Sequence, residues 1–133
     1  MKVTAKEEAG MLVMGYLAQL EKDGPVSLKK IAEESDISLA YLEKVVPSLR
    51  KAGLIHSERG VKGGYSLGRP AEEINVAEVL RALSGDVLLN QCVGTGSDNP
   101  CTKKDTCPIH PLWDTLHSRV EELLEKMTLK DLG

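Results

Sequence analysis

Residues 27–46, SLKKIAEESDISLAYLEKVV, constrain the fold of this 133-residue chain more than any other stretch. Ser27 stands where an N-cap belongs, and Leu28, Ile31 and Ala32 follow at helical spacing. Asp36-Ile37-Ser38-Leu39 then turns the chain, and Ser38 caps another helix with Tyr41, Leu42, Val45 and Val46 inward. Two short helices joined by so tight a turn form a helix-turn-helix, whose second helix typically enters the major groove of DNA.

The flanks extend this pattern. Thr4, with Glu7 three residues on, begins a helix over 4–21 whose apolar stripe is Ala9, Leu12, Val13, Tyr16, Leu17 and Leu20. Asp23-Gly24-Pro25 ends it. Pro47 is expected to split the third helix near Val46, leaving a recognition helix at 38–46 and a separate turn at 48–52, because proline removes a backbone donor and crowds the preceding turn. Gly53 is placed for a left-handed C-cap. Residues 54–58 and 64–67 alternate like two strands around the glycine-rich tip Arg59-Gly60-Val61-Lys62-Gly63, which predicts a wing. Asn75 caps a short amphipathic helix over 75–84, closed by Gly85. Pro111 starts a final helix with Leu112, Leu116, Val120, Leu123 and Met127 on one stripe. That stripe is longer than so small a domain covers by itself, so it predicts packing against a second copy.

Charge divides the chain. Residues 1–70 carry 11 Lys or Arg against 9 Asp or Glu, whereas residues 71–133 carry 6 against 11. A basic half joined to an acidic half is expected when one of them meets phosphate. No apolar run is long enough to span a bilayer, and MKVTAKEEAG lacks the build of a secretion signal, so the cytoplasm is the expected compartment.

All three cysteines fall between Cys92 and Cys107, and His110 closes the run as Cys-x8-Cys-x5-Cys-x2-His. An odd count clustered in one polar loop argues for metal or redox chemistry rather than a disulfide framework. Three thiolates and an imidazole form a four-ligand set, and the residue types alone suit zinc or an iron–sulfur cluster. His117 is expected to be an ordinary helix residue, and His56 lies in the wing strand. No nucleotide-binding glycine fingerprint accompanies the cysteines, so an enzyme is not expected.

The succession SLAYLEKVVPSLRKAGLI, RGVKGGYSLGRP, Cys107-Pro108-Ile109-His110 and LWDTLHSRVEELLEKMTLKDL resembles the IscR-type winged-helix regulators of bacteria, over essentially the whole chain. The resemblance implies a dimeric transcription factor with an iron–sulfur cluster, [2Fe-2S] in the IscR branch, on Cys92, Cys101, Cys107 and His110. It also implies base reading by Glu43. A nitric-oxide-sensing branch draws its fourth ligand from an acidic residue of the first helix, near which Glu8 lies. That branch and a zinc-stapled protein are the alternatives.

The expected fold is mainly α (α+β): a winged helix-turn-helix domain at 1–70, a connecting helix and cysteine-rich loop at 71–110, and a dimerisation helix at 111–133. Ser38, Ala40, Tyr41 and Glu43 are placed at the DNA interface, with Ala40 suited to a thymine methyl. Lys44, Lys51 and Lys62 are placed at phosphates and Arg59 in a groove. The expected partners are double-stranded DNA with a palindromic operator and a second copy of the chain, with no membrane and no small-molecule substrate.

Overall fold

Short-range capping sets the helix starts. The computed structural model describes residues 3–20, 22, 24–58, 63–85 and 106–132. The Glu7 amide donates to Thr4 Oγ1 at 3.1 Å and the Thr4 amide donates to Glu7 Oε1 at 3.3 Å, a reciprocal cap for α1 (Ala5–Leu20). Ser27 Oγ accepts from the Lys30 amide and opens α2 (Leu28–Ser35). Ser38 Oγ accepts from the Tyr41 amide and opens α3 (Leu39–Lys51). Between α2 and α3, Asp36 adopts a left-handed conformation with φ of 60°. That single residue reverses the chain, because aspartate tolerates this region better than most side chains.

Pro47 does not split α3, contrary to the sequence expectation: the helix is continuous from Leu39 to Lys51. The donor that proline lacks would have served the Glu43 carbonyl. Glu43 and Pro47 are both exposed, so the position that lacks a donor lies on the solvent-facing side of α3.

After Gly53, left-handed at φ 76°, the chain forms β1 (Ile55–Glu58) and β2 (Gly64–Leu67). They pair antiparallel, with Ile55 opposite Leu67 and Glu58 opposite Gly64. Val26, just before α2, forms an isolated bridge with Tyr65 and ties the wing to the helix-turn-helix. A Cβ at Gly64 would lie 2.5 Å from the Val26 carbonyl and 2.9 Å from the Ser27 nitrogen. Backbone there cannot step aside as a side chain can. Gly64→Ala is therefore expected to push β2 off this bridge and lower the unfolding free energy by about 1–3 kcal/mol, read from urea midpoints.

A short 3-10 turn at Ala71–Glu73 leads to α4 (Val76–Ser84), which opens on a complete capping box between Asn75 and Glu78. The last helix, α5 (His110–Lys126), carries Pro111 in its first turn. It stops short of the sequence expectation: Met127 is extended, and Leu129–Leu132 form a 3-10 turn. There the Val76 amide donates to the Met127 carbonyl and the Leu129 amide to the Ile74 carbonyl, joining the end of α5 to the start of α4.

One cluster fills the interior, uniting Val13, Met14 and Leu17 of α1 with Ile31, Leu42, Leu49, Ile74, Val79, Leu83 and Leu129. The buried stripe of α1 is rotated from the one read in the sequence: Met14 and Gly10 are inside, while Leu12 and Tyr16 are half-buried. Gly10 is where α4 comes closest, since a Cβ there would collide with the Leu83 side chain.

Candidate nucleic-acid interface and metal centre

The outward face of α3 presents Ala40, Glu43, Lys44, Pro47, Arg50 and Lys51, all exposed. Spacings of three and four place them along one side of the helix. Ser38 is exposed beside the helix start, its hydroxyl oxygen occupied by the Tyr41 amide. Tyr41 is half-buried and packs against the core, so it lies at the edge of this face. Leu39 is also partly open to solvent.

Sequence reading placed Lys51 on DNA but missed Arg50. Unbroken at Pro47, α3 carries Arg50 on the same side as Lys44 and Lys51, three residues beyond Pro47. Arg50→Ala is expected to weaken duplex binding uniformly across sequences and to reduce the slope of log affinity against log salt by about 1, measured by fluorescence titration at several salt concentrations.

On the wing, His56 Nε2 lies 3.2 Å from Glu58 Oε1, and Ser66 Oγ donates to the same oxygen at 3.4 Å. Arg59 and Lys62, placed on DNA from the sequence, lie outside the described residues.

Cys107 and His110 stand at the entrance to α5. Cys107 is half-buried, and its carbonyl accepts from the His110 amide at 3.4 Å, so the two residues belong to one turn. His110 is 8% exposed, and its Nδ1 is buried with no hydrogen-bond partner among the described residues. An unmet buried nitrogen is costly, and a metal is one way to meet it. Cys92 and Cys101 lie outside the described residues. Among the described residues no three His, Cys, Asp or Glu side chains form a group that could hold a metal ion.

His117 is buried, 8% exposed, with Nε2 3.5 Å from Glu121 Oε2. Arg81 of α4 reaches the same carboxylate at 3.5 Å and Glu125 at 2.9 Å. The hydrogen bond that Arg81 donates to Glu125, more than any other influence, raises the Arg81 pKa above its ordinary value. By contrast, Leu112, Leu116 and Leu123 of α5 are 49%, 40% and 59% exposed. An apolar stripe thus faces outward from α5. A second apolar face lies on α1, where Val3, Met11, Leu12 and Tyr16, with Glu8, line a shallow cleft of about 530 Å³. Among the described residues, no helix is long and apolar enough to cross a membrane.

A helix-turn-helix followed by a two-stranded wing, with an exposed cationic face on its second helix, defines a winged-helix DNA-binding regulator. Comparison with known proteins narrows the class. The Rrf2 family, described as an iron-dependent transcriptional regulator, matches residues 3–133. The regulator IscR of Pectobacterium atrosepticum is 39% identical over 132 residues, covering 99% of this chain and 79% of its own length. CymR of B. subtilis, described as its global cysteine regulator, superposes with a TM-score of 0.81 at 36% identity, covering 99% of this chain and 95% of that one. IscR of T. potens superposes at 0.80 with 36% identity, covering 99% and 85%. This chain belongs to the Rrf2 family and is a transcriptional regulator of the IscR type, not an enzyme.

Proposed function

We propose that this protein is a cytoplasmic homodimer that binds a palindromic operator and senses iron–sulfur cluster status through Cys92, Cys101, Cys107 and His110. The observation that carries the sensing half is the buried Nδ1 of His110, which has no partner among the described residues and lies in the same turn as Cys107. Imidazole and thiolate suit an iron–sulfur centre of the [2Fe-2S] type, and the ligand set supplies a link between the cysteine-rich segment and α5 that responds to oxidation and to iron supply. Residues 1–70 then serve DNA, 71–110 the sensor and 111–133 the pairing of copies.

The outward stripe Leu112, Leu116 and Leu123 supports the dimer, since a soluble chain rarely leaves a contiguous apolar stripe to water. Two-fold symmetry sets two α3 helices about 34 Å apart on one side of a duplex, which is the reason for a palindrome. In this reading Ala40 meets a thymine methyl, Glu43 accepts from cytosine N4, and Lys44 and Lys51 engage phosphates; the exposure of all four on α3 supports it.

CymR carries the competing reading: the likeness to a protein described as a global cysteine regulator favours a regulator of cysteine-related genes. Anaerobic purification with visible spectroscopy and iron, sulfide and zinc analysis separates the readings. Brown protein with equal iron and acid-labile sulfide is expected. Colourless protein with one zinc per chain supports a zinc staple instead, and metal-free protein leaves the CymR-like reading. Selection from randomised duplexes should return a two-fold symmetric site.

A further inference from the structure

Three elements that no short-range rule connects are tied together by α4. At its start, Glu78 Oε2 accepts from the Asn75 amide at 3.2 Å and from Arg69 Nη2 at 2.8 Å. Arg69 follows directly on Gly68, whose amide closes the wing by donating to the Leu54 carbonyl at 2.8 Å. One turn further along α4, Arg81 grips Glu125 and Glu121 of α5. Glu121 is shared with the buried His117, so the grip is referred to the inner side of α5. The spacing from Glu78 to Arg81 sets both attachments on neighbouring positions of a single helix face.

We propose that α4 is a lever that couples the position of α5 to the position of the wing, with Arg69, Glu78 and Arg81 as positioning residues. The proposal rests on the cluster-sensing reading for its signal, because the sequence from Asp86 to Asp105 joins the end of α4 to the approach to Cys107 and α5.

Three features fit a lever better than a staple. The ion pairs are half exposed, and pairs in such settings add little to stability, so their value lies in register. The capping box makes the first turn of α4 rigid, and a short rigid helix transmits a displacement undiminished over one turn. Leu83 lies so close to Gly10 that a side chain there would collide with it, which braces α4 against α1. The wing and α5 have different tasks in a dimeric regulator, one touching the duplex and the other setting the distance between copies. A link between them is what converts a change near Cys107 and His110 into a change in operator fit.

The test uses the full-length protein, cluster-stripped and anaerobically loaded, as wild type, Arg81→Ala and Arg81→Lys. Hydrogen exchange reads the Gly68 amide, which bonds the Leu54 carbonyl, in stripped protein. Arg81→Ala is expected to raise exchange there several-fold although Arg81 belongs to α4 and not to the wing, and Arg81→Lys is expected to recover most of the protection. In titrations with a selected operator, the ratio of loaded to stripped affinity, of order ten for wild type, is expected to fall toward one in Arg81→Ala. Wing exchange that stays at the wild-type level in Arg81→Ala overturns the lever. A wild-type protein whose loaded and stripped forms bind equally would overturn the sensing reading alone, and the exchange result would still decide the lever.

Discussion

Replacing Leu42 by alanine is expected to lower the unfolding free energy by about 2–5 kcal/mol, the range for emptying a fully buried leucine site. Leu42 has no exposed surface and sits on the inner side of α3 in the same cluster as Ile31, Val45 and Leu49. A domain of this kind is stable by roughly 5–15 kcal/mol, so the loss consumes a large share of the whole. The functional consequence follows from position. Leu42 seats the helix whose other side carries Glu43 and Lys44, and a loosened seat weakens base reading before the chain unfolds. Lys44→Ala, on the exposed side, should change stability by less than about 0.5 kcal/mol while weakening DNA binding. Urea denaturation of both variants provides the comparison. A cost below about 1 kcal/mol for Leu42→Ala would show that α3 is not held in this way.

Cys107→Ala protein, purified anaerobically, is expected to be colourless and to retain only a small fraction of the wild-type iron and sulfide. Removal of one thiolate leaves a cluster with an open coordination position, and clusters so exposed are readily lost. His110→Cys should behave differently, keeping its iron while lowering the reduction potential, because imidazole holds a cluster at higher potential than thiolate does. The half-buried setting of Cys107 and the unmet Nδ1 of His110 make these two residues the ones to test first. Iron analysis and redox titration read the two variants. Full iron content in Cys107→Ala would remove this cysteine from the ligand set.

The helix starts at Thr4, Ser27, Ser38 and Asn75 were legible in the sequence because each is decided within four residues. A side-chain oxygen either reaches the amide three positions on or it does not, and no distant element takes part. The hairpin was legible for the same reason, with strand alternation on both sides of a glycine-rich tip. Of the candidate site, the exposed face of α3 was legible from spacing, and Cys107 and His110 from their residue types.

Pro47, His117 and Arg81 mark where local reading ended. The continuity of α3 depended on whether the position that lacks a donor faced solvent, which is a property of the surrounding surface. His117 carries no sequence sign of burial, and its partner Glu121 also answers to Arg81, 40 residues earlier in the chain. Likewise Met14 displaced Leu12 from the interior of α1 because the packing partners across the helix, not its own periodicity, chose which stripe faces inward.

The amino-acid order by itself determined the helix starts, their caps and the class of the domain, because those depend on short-range hydrogen bonds and on side-chain chemistry. The three-dimensional structure alone decided which side of each helix is inside and which charges meet across α4 and α5. Those outcomes depend on contacts between residues far apart in the chain, and no spacing rule encodes the angle at which two helices come together.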